Sequence, residues 1–148
     1  MAQKPIIACV EDDVSAREAL ESLLKAFGFV PEVFSSAEQF LQSDRLDGTS
    51  CLITDVHLGG ISGIQLQRRL AELGSRIPVI VITAFPDNRI RERALSAGAV
   101  GFLNKPFNTE GLLTCIRSAL DRRHGDGTHS RSGLQRPCAA QVLRGPHQ

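Results

Sequence analysis

The stretch CLITDVHLGG, residues 51–60, decides how this chain is read. Cys51 to Thr54 is apolar and β-rich, as a strand buried on both faces would be. Asp55 then places a bare carboxylate where that strand ends, and the pair Gly59-Gly60 follows in the turn. An acid at the tip of a core strand directs attention to the tips of the other strands.

Working outward, short apolar runs alternate with helix-period segments. Pro5–Val10, Phe29–Phe34, Ser50–Thr54, Pro78–Thr83 (PVIVIT) and Ala99–Leu103 read as five strands. Ser15-Ala-Arg-Glu18 is a capping box ahead of Ala19, Leu20, Leu23, Leu24 and Phe27, and Gly28 supplies the stop. Ser35-Ser-Ala-Glu38 is a second box, opening a short helix with Phe40 and Leu41 inward. Ser62-Gly-Ile-Gln65 is a third, and Leu66, Leu70 and Leu73 share the face behind it. A more polar helix spans roughly Asp87 to Ala97, and Asn108 or Thr109 caps a last one carrying Leu112, Leu113, Ile116, Ala119 and Leu120. Five β-then-α units in strict alternation predict an α/β fold, a doubly wound five-stranded parallel sheet of order 2-1-3-4-5 with five helices.

Composition agrees with one globular domain: 148 residues, 42% apolar and 22% charged, with no Trp or Tyr. A net charge of +1 indicates neither a nucleic-acid nor a membrane partner. The charge is uneven, however. Residues 122–148 hold five Arg against the single acid Asp126, which leaves 12 basic and 15 acidic residues in 1–121. The expected domains are therefore residues 1–121, folded, and 122–148, an Arg/Gly-rich tail read as disordered. Cys9, Cys51, Cys115 and Cys138 form no CxxC pair, so no zinc site or disulfide framework is expected, and buried apolar roles suit the first three. The N-terminus meets acids too soon for a signal peptide, and no apolar run approaches the ~20 residues of a membrane helix. A cytoplasmic protein is expected.

In such a sheet, ligands bind beyond the carboxyl ends of the strands, at the switch point between strands one and three. Strand one ends in Glu11-Asp12-Asp13, strand three in Asp55, strand four in Thr83-Ala84, and strand five runs into Lys105-Pro106. Carboxylates gathered at one point repel, and a hard divalent cation relieves that repulsion. A lysine and a hydroxyl opposite would hold the other side of a tetrahedral dianion. That is the equipment of phosphoryl transfer by positioning and charge neutralisation, with Asp55 as nucleophile.

Four segments, VEDDVSAREAL, LITDVHLGGISG, VIVITAF and GFLNKPF, occur in the order and at the spacing of one family. Residues 5–121, about four-fifths of the chain, resemble the receiver domain of two-component response regulators, in the style of the nitrogen-fixation regulator FixJ. The resemblance implies a flavodoxin/CheY-like fold and a phosphorelay function. Asp55 matches the phosphoacceptor, and Thr83 and Lys105 match the hydroxyl and ammonium groups beside it. Asp12, Asp55 and the backbone carbonyl of His57 match the ligands of Mg²⁺ (or Mn²⁺), with Glu11 acting through water. Lys105-Pro106 matches a cis peptide, and Thr83 with Phe102 matches a switch pair. Asp13 stands one residue beyond the acidic pair, as a helix-one neighbour. Implied partners are a sensor histidine kinase or phosphotransfer protein, and a downstream protein on the helix four, strand five, helix five face. A homodimer contact on that apolar surface is a further expectation, and direct DNA binding is not expected. Gly59 stands where the family usually carries Pro, so a looser loop is expected there.

Each of these residues also has an ordinary reading. Glu11, Asp12 and Asp13 would favour the N-terminus of the first helix through its dipole, Thr83 is a normal strand residue, and Phe102 is a normal core residue. Two other functions share the motif set: a phosphatase with an aspartyl-phosphate nucleophile, in which His57 occupies the place of a general acid, and a constitutive interaction scaffold. With 27 residues after Asp121 and no second core pattern, an output domain such as a helix-turn-helix is not expected within this sequence.

Overall fold

The computed structural model describes residues 4–124 apart from 45 and 86. The elements alternate as β1 (Ile6–Val10), α1 (Val14–Ala26), β2 (Val30–Phe34), α2 (Ala37–Gln42), β3 (Cys51–Asp55), α3 (Gly63–Glu72), β4 (Val79–Thr83), α4 (Asn88–Ser96), β5 (Gly101–Asn104) and α5 (Thr109–His124). All five strands are parallel, in the order β2-β1-β3-β4-β5. The expected architecture is the observed one.

Period-two alternation divides the strand residues between two apolar layers. Ala8, Val10, Leu52, Val81 and Phe102 pack with Phe40 of α2, Leu66 and Leu70 of α3 and Ala94 of α4. Ile7, Cys9, Ile53, Ile80, Ile82 and Leu103 pack with Leu20 and Leu24 of α1 and Leu112 and Ile116 of α5. Every residue of β3 and β4 is buried, Asp55 and Thr83 included, which is why these strands carry no polar alternation. Cys9 and Cys51 are buried, and burial pushes the Cys9 thiol up, far out of the reactive range. Cys115 is buried but disulfide-bonded, against the expectation of a plain apolar role.

Several boundaries differ from the sequence reading. Asp13, not Ser15, caps α1: its Oδ2 accepts from the Ala16 N–H at 2.8 Å, so the helix starts before the expected box. Ser36, not Ser35, caps α2, and Gln39 rather than Glu38 reaches back, its Oε1 accepting from the Ser35 N–H at 2.8 Å. The Ser62–Gln65 box of α3 is present as read. Leu73 is 63% exposed rather than part of the α3 face, because the helix ends there and Gly74 turns away with φ 77°. Asn108 Oδ1 accepts from the Gly111 N–H at the start of α5, and that helix runs to His124, past residue 121. The rest of the expected tail lies outside the described residues.

Gly63 begins α3 directly beneath the end of β3. A Cβ there would lie 3.0 Å from the Asp55 carbonyl carbon and closer still to its oxygen. Gly63→Ala is expected to lower stability by about 1–3 kcal/mol, since backbone must move to admit the methyl. Urea unfolding of the two proteins measures the difference.

Candidate functional site

The chemistry collects at the carboxyl ends of β1, β3, β4 and β5. Glu11 directly follows β1, and its N–H donates to Phe34 O at 3.1 Å, so its backbone is still held by the sheet edge of β2. Arg17 of α1 donates from Nη1 to the Glu11 carbonyl at 2.9 Å and fixes the turn from the other side. Asp55 closes β3 opposite Ile82, and the Val56 N–H donating to Ile82 O prolongs the pairing. Lys105 follows β5, tied by its N–H to Thr83 O at 2.8 Å, and its peptide to Pro106 is cis. Thus the sheet ladder itself places each group.

The Lys105 ammonium joins the two acids. Nζ lies 2.8 Å from Glu11 Oε1 and 2.7 Å from Asp55 Oδ2. The other Asp55 oxygen, Oδ1, accepts from the His57 N–H at 3.0 Å, and Glu11 Oε2 accepts from the Asp13 N–H at 3.1 Å. Glu11 and Asp55 are 2% and 6% exposed, so nearly all their stabilisation comes from these partners and not from water. Burial pushes the Glu11 carboxyl upward and the Asp55 charge adds to that, while the Lys105 and Asp13 bonds pull it back; the balance stays above the ordinary value. Burial opposes the Lys105 charge, yet the bonds to Asp55 and Glu11 outweigh it and hold the ammonium above the usual lysine range.

Thr83 is fully buried, and its Oγ1 accepts from the Phe85 N–H at 3.0 Å. Phe102 has no exposure and packs in the layer under α3 and α4. Asp12 is exposed and faces the β3–α3 loop, its Oδ2 3.9 Å from the point a Cβ on Gly59 would occupy. The His57 side chain is exposed and meets the Phe85 ring edge-on at 5.3 Å. Asp13 serves as the α1 cap rather than as a site acid.

Sequence reasoning missed three supports. Arg17 behind Glu11 was hidden among ordinary helix charges. The Phe85 N–H on the Thr83 hydroxyl is a backbone group and leaves no trace in residue type. Glu38 of α2 accepts from the Ile61 N–H at 3.1 Å, a link across 23 residues into the loop that carries the glycine pair.

Two buried carboxylates bridged by a lysine, with a buried threonine at the end of the neighbouring strand, thus gather at the switch point of the sheet. The chain belongs to the response regulator receiver domain family, whose model matches residues 7–117. It is 44% identical over 119 residues to nodulation protein W of Bradyrhizobium diazoefficiens, covering 80% of this chain and 52% of that one. It is 33% identical over 144 residues to the transcriptional regulatory protein FixJ of the same organism, covering 96% and 68%. Among solved structures, response regulator StyR superposes with a TM-score of 0.76 at 40% identity, covering 85% of this chain and 66% of that one. FixJ-N superposes with a TM-score of 0.73 at 33% identity, covering 81% and 96%. The chain spans about half the length of the first curated relatives it matches. As a receiver, it works in phosphorylation-based two-component signalling, whose members partner with sensor histidine kinases and downstream effectors.

The coupling of Lys105 to two buried acids fixes a pH signature. Glu11, with its raised value, binds a proton more tightly folded than unfolded, so its contribution is favourable in acid and is lost as pH rises through that value. The Lys105 contribution is present below the ordinary lysine value and is lost only as pH climbs through its raised one. Lys105→Met strips both acids of their cation. It is expected to cost about 1–3 kcal/mol near neutral pH, with the deficit shrinking as the medium falls below the carboxylate range. Urea midpoints of the two proteins across that range measure it.

Proposed function

We propose that Asp55 is the phosphoacceptor of this receiver, with Lys105 and Thr83 as the groups that hold the incoming phosphoryl oxygens. The observation that carries this reading is the 2.7 Å contact from Lys105 Nζ to Asp55 Oδ2 at the switch point of the sheet. A phosphohistidine of a sensor kinase or phosphotransfer protein is the donor. An Asp55 oxygen attacks phosphorus, the new P–O bond forms as the P–N bond breaks, and the electron pair leaves on the imidazole nitrogen. Attack by a carboxylate oxygen breaks no O–H bond, so no base is needed. The His57 N–H and the Lys105 ammonium hold it at both oxygens, in place for in-line attack. Lys105 then passes one of its hydrogen bonds to a phosphoryl oxygen. Because the Thr83 oxygen accepts from the Phe85 N–H, its own proton is left to donate to another.

The donor set also suits a hard divalent cation, Mg²⁺ or Mn²⁺. Asp12, Asp55 and the His57 carbonyl are all oxygen donors, and among the described residues no three His, Cys, Asp or Glu side chains converge on one point. A set with so few protein ligands leaves positions for water, as Mg²⁺ prefers. When bound, the cation neutralises charge on the carboxylates and the phosphoryl group. Glu11 has both oxygens already partnered, and would act on the cation through water rather than hold it directly.

Drawing the Thr83 proton toward the phosphoryl group alters the end of β4, two residues beyond Val81, the register partner of Phe102. The output is a shift of Phe102 away from its fully buried packing, reshaping the α4–β5–α5 face for a downstream partner or a second copy of the chain. α4 suits that use, since Ala94 is its one buried residue. Transfer to Asp55 is the whole of the chemistry, without turnover of a separate substrate. No described helix is long and apolar enough to cross a membrane, and we place the receiver in the cytoplasm.

Incubation with acetyl phosphate and Mg²⁺ followed by intact-mass measurement tests the acceptor. A single phosphoryl adduct on the wild type, absent from Asp55→Asn, is the expected result; an adduct on Asp55→Asn overturns the assignment. For the output, ring NMR signals of Phe102 should move on phosphorylation in the wild type and stay in place in phosphorylated Thr83→Ala. Equal movement in both would remove Thr83 from the switch.

A further inference from the structure

The loop from Asp55 to Ser62 carries adjacent glycines, and the two stand there for different reasons. Neither has positive φ; among the described residues only Gly28, Gly74 and Gly98 do. A left-handed turn therefore explains neither one. A Cβ on Gly59 would meet only Asp12 Oδ2, at 3.9 Å, an ordinary contact. A Cβ on Gly60 would fall 2.8 Å from Glu38 Oε1 and 2.9 Å from its Cδ, and nearer still to Oε2. Gly60 is bare where the Glu38 carboxylate lies against the loop.

Glu38 stands in the first turn of α2, where its charge also suits the helix N-terminus. Gln39 has taken the capping role that the sequence pattern assigned to Glu38. Its Oε2 instead accepts from the Ile61 N–H at 3.1 Å, a charge-assisted bond from α2 into the loop that holds Asp55 at one end and the α3 cap at the other. Without it, two consecutive glycines would leave the segment between His57 and Ser62 with wide conformational freedom.

We propose that Glu38 is a positioning residue of the cation site: through the Ile61 amide it fixes the loop so that the His57 carbonyl is presented beside Asp12 and Asp55. This rests on the reading that His57 supplies a carbonyl ligand. Binding of the cation and closure of the Glu38–Ile61 bond favour each other, since both select one loop conformation.

Calorimetric titration of the full chain with Mg²⁺ alone tests it, using Glu38→Ala, Glu38→Gln, Gly60→Ala and the Glu38→Ala/Gly60→Ala double variant. Glu38→Ala is expected to weaken Mg²⁺ binding by about three- to tenfold, less than the whole of a hydrogen bond to a charged group because only the part coupled to the cation is read. Glu38→Gln keeps a carbonyl acceptor and should stay within about twofold of wild type. Gly60→Ala should resemble Glu38→Ala, because its methyl displaces the carboxylate. The double variant should bind no more weakly than the worse single one, the non-additivity of two residues serving one contact. Hydrogen exchange at the Ile61 amide should quicken in each weakened variant.

Wild-type affinity in Glu38→Ala, or losses that multiply in the double variant, would overturn the proposal. So would a lower unfolding midpoint with unchanged Mg²⁺ affinity, which is what a purely structural contact gives. Failure of the underlying site is separately visible: the wild type would take up no Mg²⁺, or Asp12→Asn would bind it undiminished.

Discussion

The arrangement depends on one ammonium group. Lys105 lies within bonding distance of Glu11 and Asp55 together, and these two acids are almost wholly withdrawn from water. Two such carboxylates without a cation between them would resist both burial and each other. The strand order makes the lysine's task a long one. β5 is separated from β3 by β4, a gap of roughly 9–10 Å at ordinary strand spacing. The lysine stem covers most of it, the Asp55 side chain and the 2.7 Å contact close the rest, and the Thr83 backbone anchors the near end. The charge balance that makes the site chemically useful is thus also a requirement of the folded state.

The sheet makes that balance possible by ending every relevant strand at the same side. Parallel pairing brings the carboxyl ends of β1, β3, β4 and β5 into register, with Val10 beside Thr54, Asp55 beside Ile82, and Thr83 beside Asn104. Both faces are covered by helices, so the polar groups have no exit except past the strand tips. Backbone donors complete what side chains begin: the N–H groups of His57, Asp13 and Phe85 each serve a site oxygen. Each of these donors lies only two or three residues past the end of a strand.

Fold and site were legible to different depths. The β–α alternation showed plainly because strands buried on both faces, such as VIVIT at 79–83, leave an unbroken apolar run, and the four site segments each end one strand. Cap positions were less legible. Ser15, Ser35 and Asp13 are all competent caps, and the choice among them is made by where the preceding strand lets go. Leu73 looked inward by its spacing from Leu70, a periodicity that holds only while the helix continues. The Glu38 contact was illegible for a stronger reason. A link between residues 23 apart depends on how α2 and the β3–α3 loop meet in space, and the local pattern pointed Glu38 to another partner. The same link reaches the loop that carries the glycine pair.

The close seat of Gly63 on the Asp55 carbonyl has a mechanical side. With no side chain between them, and with the Gly63 N–H bonded to Val56 O at 3.0 Å, the tip of β3 and the first turn of α3 behave as one solid joint. Further along the same helix, the Gln67 amide donates to the Ala94 carbonyl near the far end of α4, so one helix touches both the acid's strand and its neighbouring helix.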